Sequence, residues 1–385
     1  MGLLKDKVLI NGEWVSAATK ATFNVKNPRN GSIVGAAPHM DASDAAVAIE
    51  AANEAFKTWQ NVTADQRSAL LRKCVADCAE EAKRIKGEIV SSPHPGKKCL
   101  IERQPIGVVG LITPWNFPLL LTARKIATAL AAGCTCVVKP SEDTPLSTLS
   151  VIQLAEDAGV PKGVINVVTC DRANAAQIGK ALCESRLIAG ISFTGSTVVG
   201  KILYQQCASR IKRLCLELGG NAPFLVFNSA NIDKAVETAR VCGIVEEAKS
   251  RGANIVTGGQ PAKEAGKLFY QPTLITNVTK DMQVYKDEIF GPVVSVTKFK
   301  TEEEGVAMAV DTEKGLASYF FSQDVAQIFR VSRLLQSGTV AVNDGMGGSP
   351  LAPFGGIKES GIGKEGSQYG IDECCYIKSI TIGDL

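Results

Sequence analysis

Glu217 stands at the end of an apolar run that begins at Leu214, and it is followed by Leu218, Gly219 and Gly220. A strand that carries a carboxyl group into an apolar site and then turns sharply has this pattern. Burial raises a carboxyl pKa towards the working pH, which is what a general base needs. The glycines allow positive φ or the close approach of a ligand. The same spacing suits a strand end with a partnered acid and a turn, so the acid alone does not decide. Other reactive types give little. His39 and His94 are the only histidines, which argues against His-based acid–base chemistry. Cys134 with Cys136, and Cys374 with Cys375, have no histidine nearby, which argues against a structural zinc site.

A strand ending at Glu217 needs a sheet around it. Residues 108–112, 135–138, 164–168 and 188–193 are apolar runs of the kind found in strands buried on both faces. Helical character fills residues 119–132, 144–159, 173–182 and 197–208. This alternation indicates a doubly wound α/β fold. Upstream, residues 9–14 read as a strand with a glycine turn and residues 23–35 as a hairpin. Ser43 or Asp44 can cap a helix to about Trp59, and a second, charged helix runs from Ala64 to about Lys86. Downstream, residues 224–227 form a strand, and Asn231 can cap a helix from Ile232 to about Arg251. Strands at residues 317–321 and 339–343 alternate with helices at 302–310 and 326–335. The tail, residues 376–382, is alternating and β-prone.

The strand ends suggest a nucleotide site. No Gly-x-Gly-x-x-Gly follows an early strand, so the commonest dinucleotide fingerprint is absent. Gly195-Ser196-Thr197-Val198-Val199-Gly200 instead joins a strand to a helix, whose first N–H groups and the Ser196 hydroxyl can hold a pyrophosphate. Most such turns bind nothing. Lys139 follows a buried strand end, where a ligand crevice is expected in an α/β sheet.

Several segments resemble motifs of the aldehyde dehydrogenase superfamily, in that family's order. They are Pro114-Trp115-Asn116-Phe117-Pro118, Val138-Lys139-Pro140-Ser141-Glu142, Phe193-Thr194-Gly195-Ser196-Thr197, Leu216 to Pro223, Glu288-Ile289-Phe290-Gly291-Pro292 and Pro353-Phe354-Gly355-Gly356. They span nearly the whole chain. The resemblance implies an aldehyde dehydrogenase-like α/β fold: a Rossmann-type cofactor domain, an α/β catalytic domain and β segments for oligomerisation. It puts Trp115, Lys139, Ser141, Glu142, Gly195, Ser196, Glu288 and Phe290 on an NAD cofactor. Lys139 and Glu142 would meet the adenosine ribose, and Glu288 and Phe290 the nicotinamide ribose. A carboxylate at Glu142 favours NAD over NADP by repelling a 2′-phosphate, although Lys139 can pair such a phosphate. In the family a cysteine thiolate attacks the aldehyde, hydride leaves to the nicotinamide, and water activated by a glutamate hydrolyses the thioester. Glu217 is similar to that base and Asn116 to the side-chain oxyanion donor. The segment 352–361 and the residues after it look most like the succinate-semialdehyde dehydrogenases, with Arg124 and Ser349 as contacts to the substrate carboxylate.

One family feature is missing. The Gly-Gln-Thr-Cys-type loop that carries the nucleophile should follow the helix beginning near Ile232. Here Asn231 to Val236 runs on into Val245 to Lys249, which in similar chains lies well downstream. The catalytic domain reads as internally truncated near residues 240–246, and helical material before Ala82 also reads as lost. Clean in-frame losses suggest exon omission or a gene-model product. Cys242 shares an apolar helical face with Ile232, Val236 and Ala239, and it reads as core rather than as a replacement nucleophile. Two functions follow: oxidation of succinate semialdehyde to succinate, or a catalytically dead variant that binds cofactor or partner subunits only.

Composition bounds the rest. The 385 residues are 45% apolar and 21% charged, with a net charge of +3 spread along the chain. That is globular, with no basic block for nucleic acid and no membrane-length apolar run. Met1 to Lys7 does not read as a signal or transit peptide, which with the dilute cysteines suggests reduced thiols in the cytoplasm or the mitochondrial matrix. The expected division is a cofactor domain at 1–216 with an oligomerisation hairpin near 91–105, a catalytic domain at 217–350, and a return to the cofactor domain with an oligomerisation tail at 351–385. A homodimer or homotetramer is expected.

Overall fold

The computed structural model describes residues 3–74, 78–232, 234, 245–266, 268–349 and 351–383. The chain opens with two hairpins, β1 (Val8–Ile10) with β2 (Glu13–Val15) and β3 (Thr22–Lys26) with β4 (Ile33–Pro38). The first turns at Asn11 and Gly12, both at positive φ. Helix α1 (Ala42–Trp59) follows. Its cap is Asp41, not Ser43 or Asp44. Asp41 accepts from the Ser43 and Asp44 amides, and the Asp44 side chain bonds back to the Asp41 amide as a capping box. Helix α2 (Ala64–Cys74) stops well short of Lys86; residues 81–84 form only a single 3₁₀ turn. A hairpin of β5 (Glu88–Ser91) and β6 (Lys98–Pro105) comes next.

The main sheet then forms as the apolar runs predict. In chain order its parallel strands are β7 (Val108–Ile112), β8 (Thr135–Lys139), β9 (Ile165–Val167), β10 (Ile188–Thr194) and β11 (Arg213–Glu217). The connecting helices are α3 (Pro118–Ala132), α4 (Pro145–Asp157), α5 (Arg172–Glu184) and, between β10 and β11, α6 (Thr197–Cys207). Every residue of β7 and β8 is buried, as expected for strands covered on both faces. In space the order is β11-β10-β7-β8-β9. The chain builds outward from β7 to β9, then returns to build β10 and β11 on the other side. The order therefore reverses between β7 and β10, and that switch point is where an open α/β sheet offers a ligand crevice.

Beyond β11 the chain forms two three-stranded sheets. One contains β12 (Phe224–Val226); the other begins, after the short helix α7 (Glu246–Ser250), with β13 (Asn254–Thr257) and β14 (Thr273–Thr276). Helix α8 (Gln283–Lys286) leads to β15 (Val293–Ser295), which closes the order β13-β14-β15. Helix α9 (Glu302–Val310), β16 (Ala317–Phe321), helix α10 (Val325–Leu334) and β17 (Thr339–Val342) complete the order β12-β16-β17. Strands β12 and β15 are both edges, and a 910 Å³ cavity lies between them, lined by Phe224, Val226, Val294, Val296 and Phe299. The expected helix from Ile232 is met only in part. Asn231 caps it, accepting from the Lys234 amide at 3.1 Å, and most of its span, with Cys242, lies outside the described residues.

The chain then returns to the main sheet. Strand β18 (Gly361–Ile362) pairs antiparallel with β11. After α11 (Ser367–Asp372), β19 (Cys375–Ile382) pairs with β6 over its whole length. This three-stranded sheet leaves Ile89, Ile377 and Tyr376 exposed. Among the described residues three hydrophobic cores result: a large one from Val8 to Leu218 joined by Ile371 and Cys375, one around Ile275 and Met282, and one around Leu225, Phe227, Phe320 and Val331. No helix among the described residues is long and apolar enough to cross a membrane.

The third core is small, so each large side chain in it matters. Phe320 is fully buried and packs edge-on against Phe227 at 6.1 Å. Phe320→Ala is expected to cost about 3–5 kcal/mol in a urea titration. Phe329→Ala, on the exposed face of α10, is expected to stay within about 0.5 kcal/mol of the parent.

Candidate active site

Glu217 is the last residue of β11, and its backbone is bonded on both sides. Its carbonyl accepts from the Gly195 amide at 3.0 Å, and it pairs in register with Thr194 and with Gly361. The carboxyl group is less well provided for. The residue is 3% exposed, and neither carboxyl oxygen has a hydrogen-bond partner among the described residues. Its pKa is pushed up to about 9, first by burial and then by the Glu365 carboxylate, against the pull of Lys125, Lys364 and the nearby Gly356 amide. The expected dry acid at a strand end is therefore present.

The glycines after Glu217 serve close approach rather than positive φ; the positive φ in this turn belongs to Ala222. A Cβ on Gly219 would collide with a carboxyl oxygen of Glu288, and one on Gly220 would lie 2.5 Å from Leu316 Cβ. The Pro353–Gly356 segment packs in the same way from the other side. A Cβ on Gly355 would lie 2.6 Å from Glu217 Oε1. Lys364 donates to the Gly355 carbonyl and, at 3.4 Å, to that of Gly356.

Behind Glu217 lies a buried ion pair that the sequence reading did not include. Lys125 and Glu365 are in contact, and Lys125 Nζ donates to Ser192 Oγ at 2.8 Å. The Thr194 hydroxyl donates to Glu365 Oε1 at 3.4 Å. The available signal was a lysine inside an apolar helical stretch, since Lys125 is followed by Ile126 to Ala132. Arg124 lines the same small cavity of about 30 Å³ and has no ion pair among the described residues. Glu217 is not on that cavity's wall. Ser349 stands apart from both; its hydroxyl accepts from the Leu351 amide at 3.2 Å in an exposed turn.

Asn116, Trp115, Gly195 and Ser196 follow the carboxyl ends of neighbouring strands, while Glu288 and Phe290 come from the segment before β15. Asn116 follows β7, two strands from Glu217, a spacing of about 10 Å between strand axes. Its Oδ1 accepts from the Phe117 amide at 3.1 Å, while its Nδ2 donates to no described residue. Trp115 and Phe290, both exposed, make an edge-to-face pair at 5.6 Å. Glu288 is exposed overall, but its carboxyl turns in against Gly219 and Gly220, and desolvation raises its pKa. Ser196 caps α6 and accepts from the Val199 amide at 3.4 Å. Gly195 leaves no room for a side chain, because a Cβ there would lie 2.5 Å from the Phe193 ring.

Lys139 ends β8, and its Nζ lies 3.7 Å from Glu142 Oε2. Ser141 is buried and accepts from the Asp143 amide at 3.2 Å. The α6 N-terminus stands on one side of the switch point, and Lys139 with Glu142 on the other. That arrangement suits a dinucleotide, with amide N–H groups for the pyrophosphate and a Lys–Glu pair for a ribose.

The thiols need separate mention. Cys215 is buried one strand residue below Leu216, and its pKa is pushed well above the ordinary value, first by burial. A thiol held neutral in this way is a poor nucleophile.

Residues 14–77, 73–240 and 237–380 match the aldehyde dehydrogenase family. Human mitochondrial succinate-semialdehyde dehydrogenase is 40% identical over 481 residues, covering 100% of this chain and 89% of that protein. That alignment is longer than the 385 residues of this chain, so the relative carries sequence with no counterpart here. Among solved structures, an Escherichia coli NADP-dependent enzyme superposes with a TM-score of 0.95 at 36% identity, covering 99% of this chain and 98% of the other. Staphylococcus aureus betaine aldehyde dehydrogenase in complex with NAD+ superposes with a TM-score of 0.93 at 31% identity, covering 99% and 95%.

The raised pKa of Glu217 has a measurable consequence. The unfolded chain ionises this group near 4.5, whereas the folded chain keeps the proton until about 9. The folded state binds the extra proton in that window, so this group's contribution to stability falls as pH rises through it. In Glu217→Gln that loss disappears. Thermal melts are expected to show the variant gaining on the parent between about pH 5 and pH 9. An offset that does not change with pH would contradict the raised pKa.

Proposed function

Because this chain belongs to the aldehyde dehydrogenase family, we propose that it oxidises succinate semialdehyde to succinate with NAD or NADP. The observation that carries the reading is Glu217: a buried, unpartnered carboxyl at a strand end, level with Asn116 and the dinucleotide crevice. The bound nicotinamide supplies a hydride acceptor. The chain's own residues supply proton transfer, the oxyanion donor and the binding contacts. Glu217, once ionised, takes a proton from water. Asn116 Nδ2 donates to the oxygen that gains charge. Arg124 pairs the substrate's far carboxylate, and the exposed Ser349 hydroxyl closes on it only if its turn moves inward. Trp115 and Phe290 wall the nicotinamide end, with Glu288 on its ribose. Gly195 and Ser196 take the pyrophosphate, and Lys139, Ser141 and Glu142 the adenosine ribose.

The domain division follows the separate cores: a cofactor domain to about residue 216, a catalytic domain to about 350, and a return thereafter. The gapped alignment to the human relative and the family match that restarts near residues 73 and 237 support two internal losses relative to longer members. The β5-β6-β19 sheet, with Ile89 and Ile377 exposed, is the surface for a homodimer or homotetramer. Of the two expected locations, mitochondrial matrix or cytoplasm, the mitochondrial relatives support the mitochondrion. The alternative of a catalytically dead, cofactor-binding chain has no named relative in its favour.

The test is NADH and NADPH formation by purified chain given succinate semialdehyde, with Glu217→Gln, Arg124→Ala and Cys242→Ala in parallel. Glu217→Gln is expected to lower the rate by about a hundredfold or more. Arg124→Ala is expected to raise KM for the semialdehyde more than for an uncharged aldehyde. Loss of turnover in Cys242→Ala would identify the nucleophile. No turnover from folded parent protein that still binds NADH would sink the oxidation and leave the alternative.

A further inference from the structure

The acid expected to favour NAD over NADP does not stand alone. Each oxygen of Glu142 faces a cation. Arg172 Nε lies 3.0 Å from Oε1, and Lys139 Nζ lies 3.7 Å from Oε2. The Glu142 pKa is lowered, against the effect of partial burial, by its own backbone amide, Arg172 and Lys139. The carboxylate is therefore ionised, but its charge is already matched. Lys139 is nearly buried, whereas the Arg172 side chain is 83% exposed.

Position follows from topology. Arg172 is the first residue of α5, just past the carboxyl end of β9, which is the neighbour of β8 in the sheet. Both loops open at the same end of the sheet, so Arg172 closes over Glu142 from the adjacent loop. Its second contact is loose: Nη2 lies 3.9 Å from the exposed Asp143. Asp171 is occupied in capping α5 through the Ala173 and Asn174 amides.

We propose that Arg172 is a specificity-determining residue, with Lys139 the second cation of a 2′-phosphate site at the adenosine ribose. This rests on the reading that Lys139 and Glu142 hold that ribose. An exposed Arg–carboxylate pair is screened by solvent and only weakly held, so little opposes its exchange. A phosphate offers the guanidinium a bidentate, doubly charged partner. With a 2′-hydroxyl, Arg172 stays on Glu142, and Glu142 accepts from the sugar. With a 2′-phosphate, Arg172 turns to the phosphate, and Lys139 offsets the carboxylate beneath. The chain then takes either dinucleotide, and Arg172 sets the ratio.

Binding decides this without turnover. NADH and NADPH are titrated by fluorescence into the parent, Arg172→Ala and Arg172→Lys, with adenosine 2′-monophosphate and 5′-monophosphate as competitors. Arg172→Ala is expected to weaken NADPH binding about tenfold more than NADH binding, and to remove the preference for the 2′-monophosphate. Arg172→Lys is expected to restore part of the loss. A parent that binds NADH but not NADPH, or an alanine variant that weakens both equally, would overturn the assignment while leaving the ribose reading intact. A parent that binds neither would overturn the ribose reading, and this inference with it.

Discussion

The pairing of β10 with β11 is the constraint on which the site depends. It ties the Gly195 amide to the Glu217 carbonyl and sets Thr194 opposite Glu217. On the other side β18 pairs Gly361 with Glu217, and the Ser360 carbonyl accepts from the Leu218 amide. The backbone around the acid is thus satisfied, as buried amides must be. The two Glu217 carboxyl oxygens are without a hydrogen-bond partner among the described residues. Burying them is tolerable because the group stays protonated, and a neutral acid costs far less to bury than a carboxylate.

The same sheet end holds two carboxyl groups with opposite electrostatics. Glu217 is dry and faces Glu365, so its pKa rises. Glu142 lies near the surface between Lys139 and Arg172, so its pKa falls. One holds a proton it can exchange, and the other holds a fixed charge between two cations. Environment alone separates them, as expected when paired acids divide their roles.

The part after Glu217 is built differently. It has two three-stranded sheets with their own small cores, and their edges β12 and β15 flank the 910 Å³ cavity. The family match restarts at residue 237, after β12 and after Ile232, which lines this cavity. The large core beneath the main sheet does not depend on that region, since its cluster runs from Val8 to Leu218 with Ile371 and Cys375.

The apolar runs by themselves determined the main sheet, because a strand covered on both faces must be continuously apolar, and the turn residues between the runs set the helices. The motif order determined the family, and Glu217, Asn116, Lys139 and Ser196 all fall at strand ends or helix starts, as the sequence implied. Local reading failed where a competing partner lay close in sequence. Asp41 took the α1 cap from Ser43 because the Asp44 side chain could bond back to its amide. Only the tertiary structure decided what surrounds each acid. Lys125 meets Glu365 across 240 residues, and Arg172 meets Glu142 across 30. The two glycines after Glu217 make room for Glu288 and Leu316 rather than for a left-handed turn. Sequence spacing carries the period of an element, but a carboxyl pKa depends on charges and burial contributed by other elements, and only the packed chain brings those together.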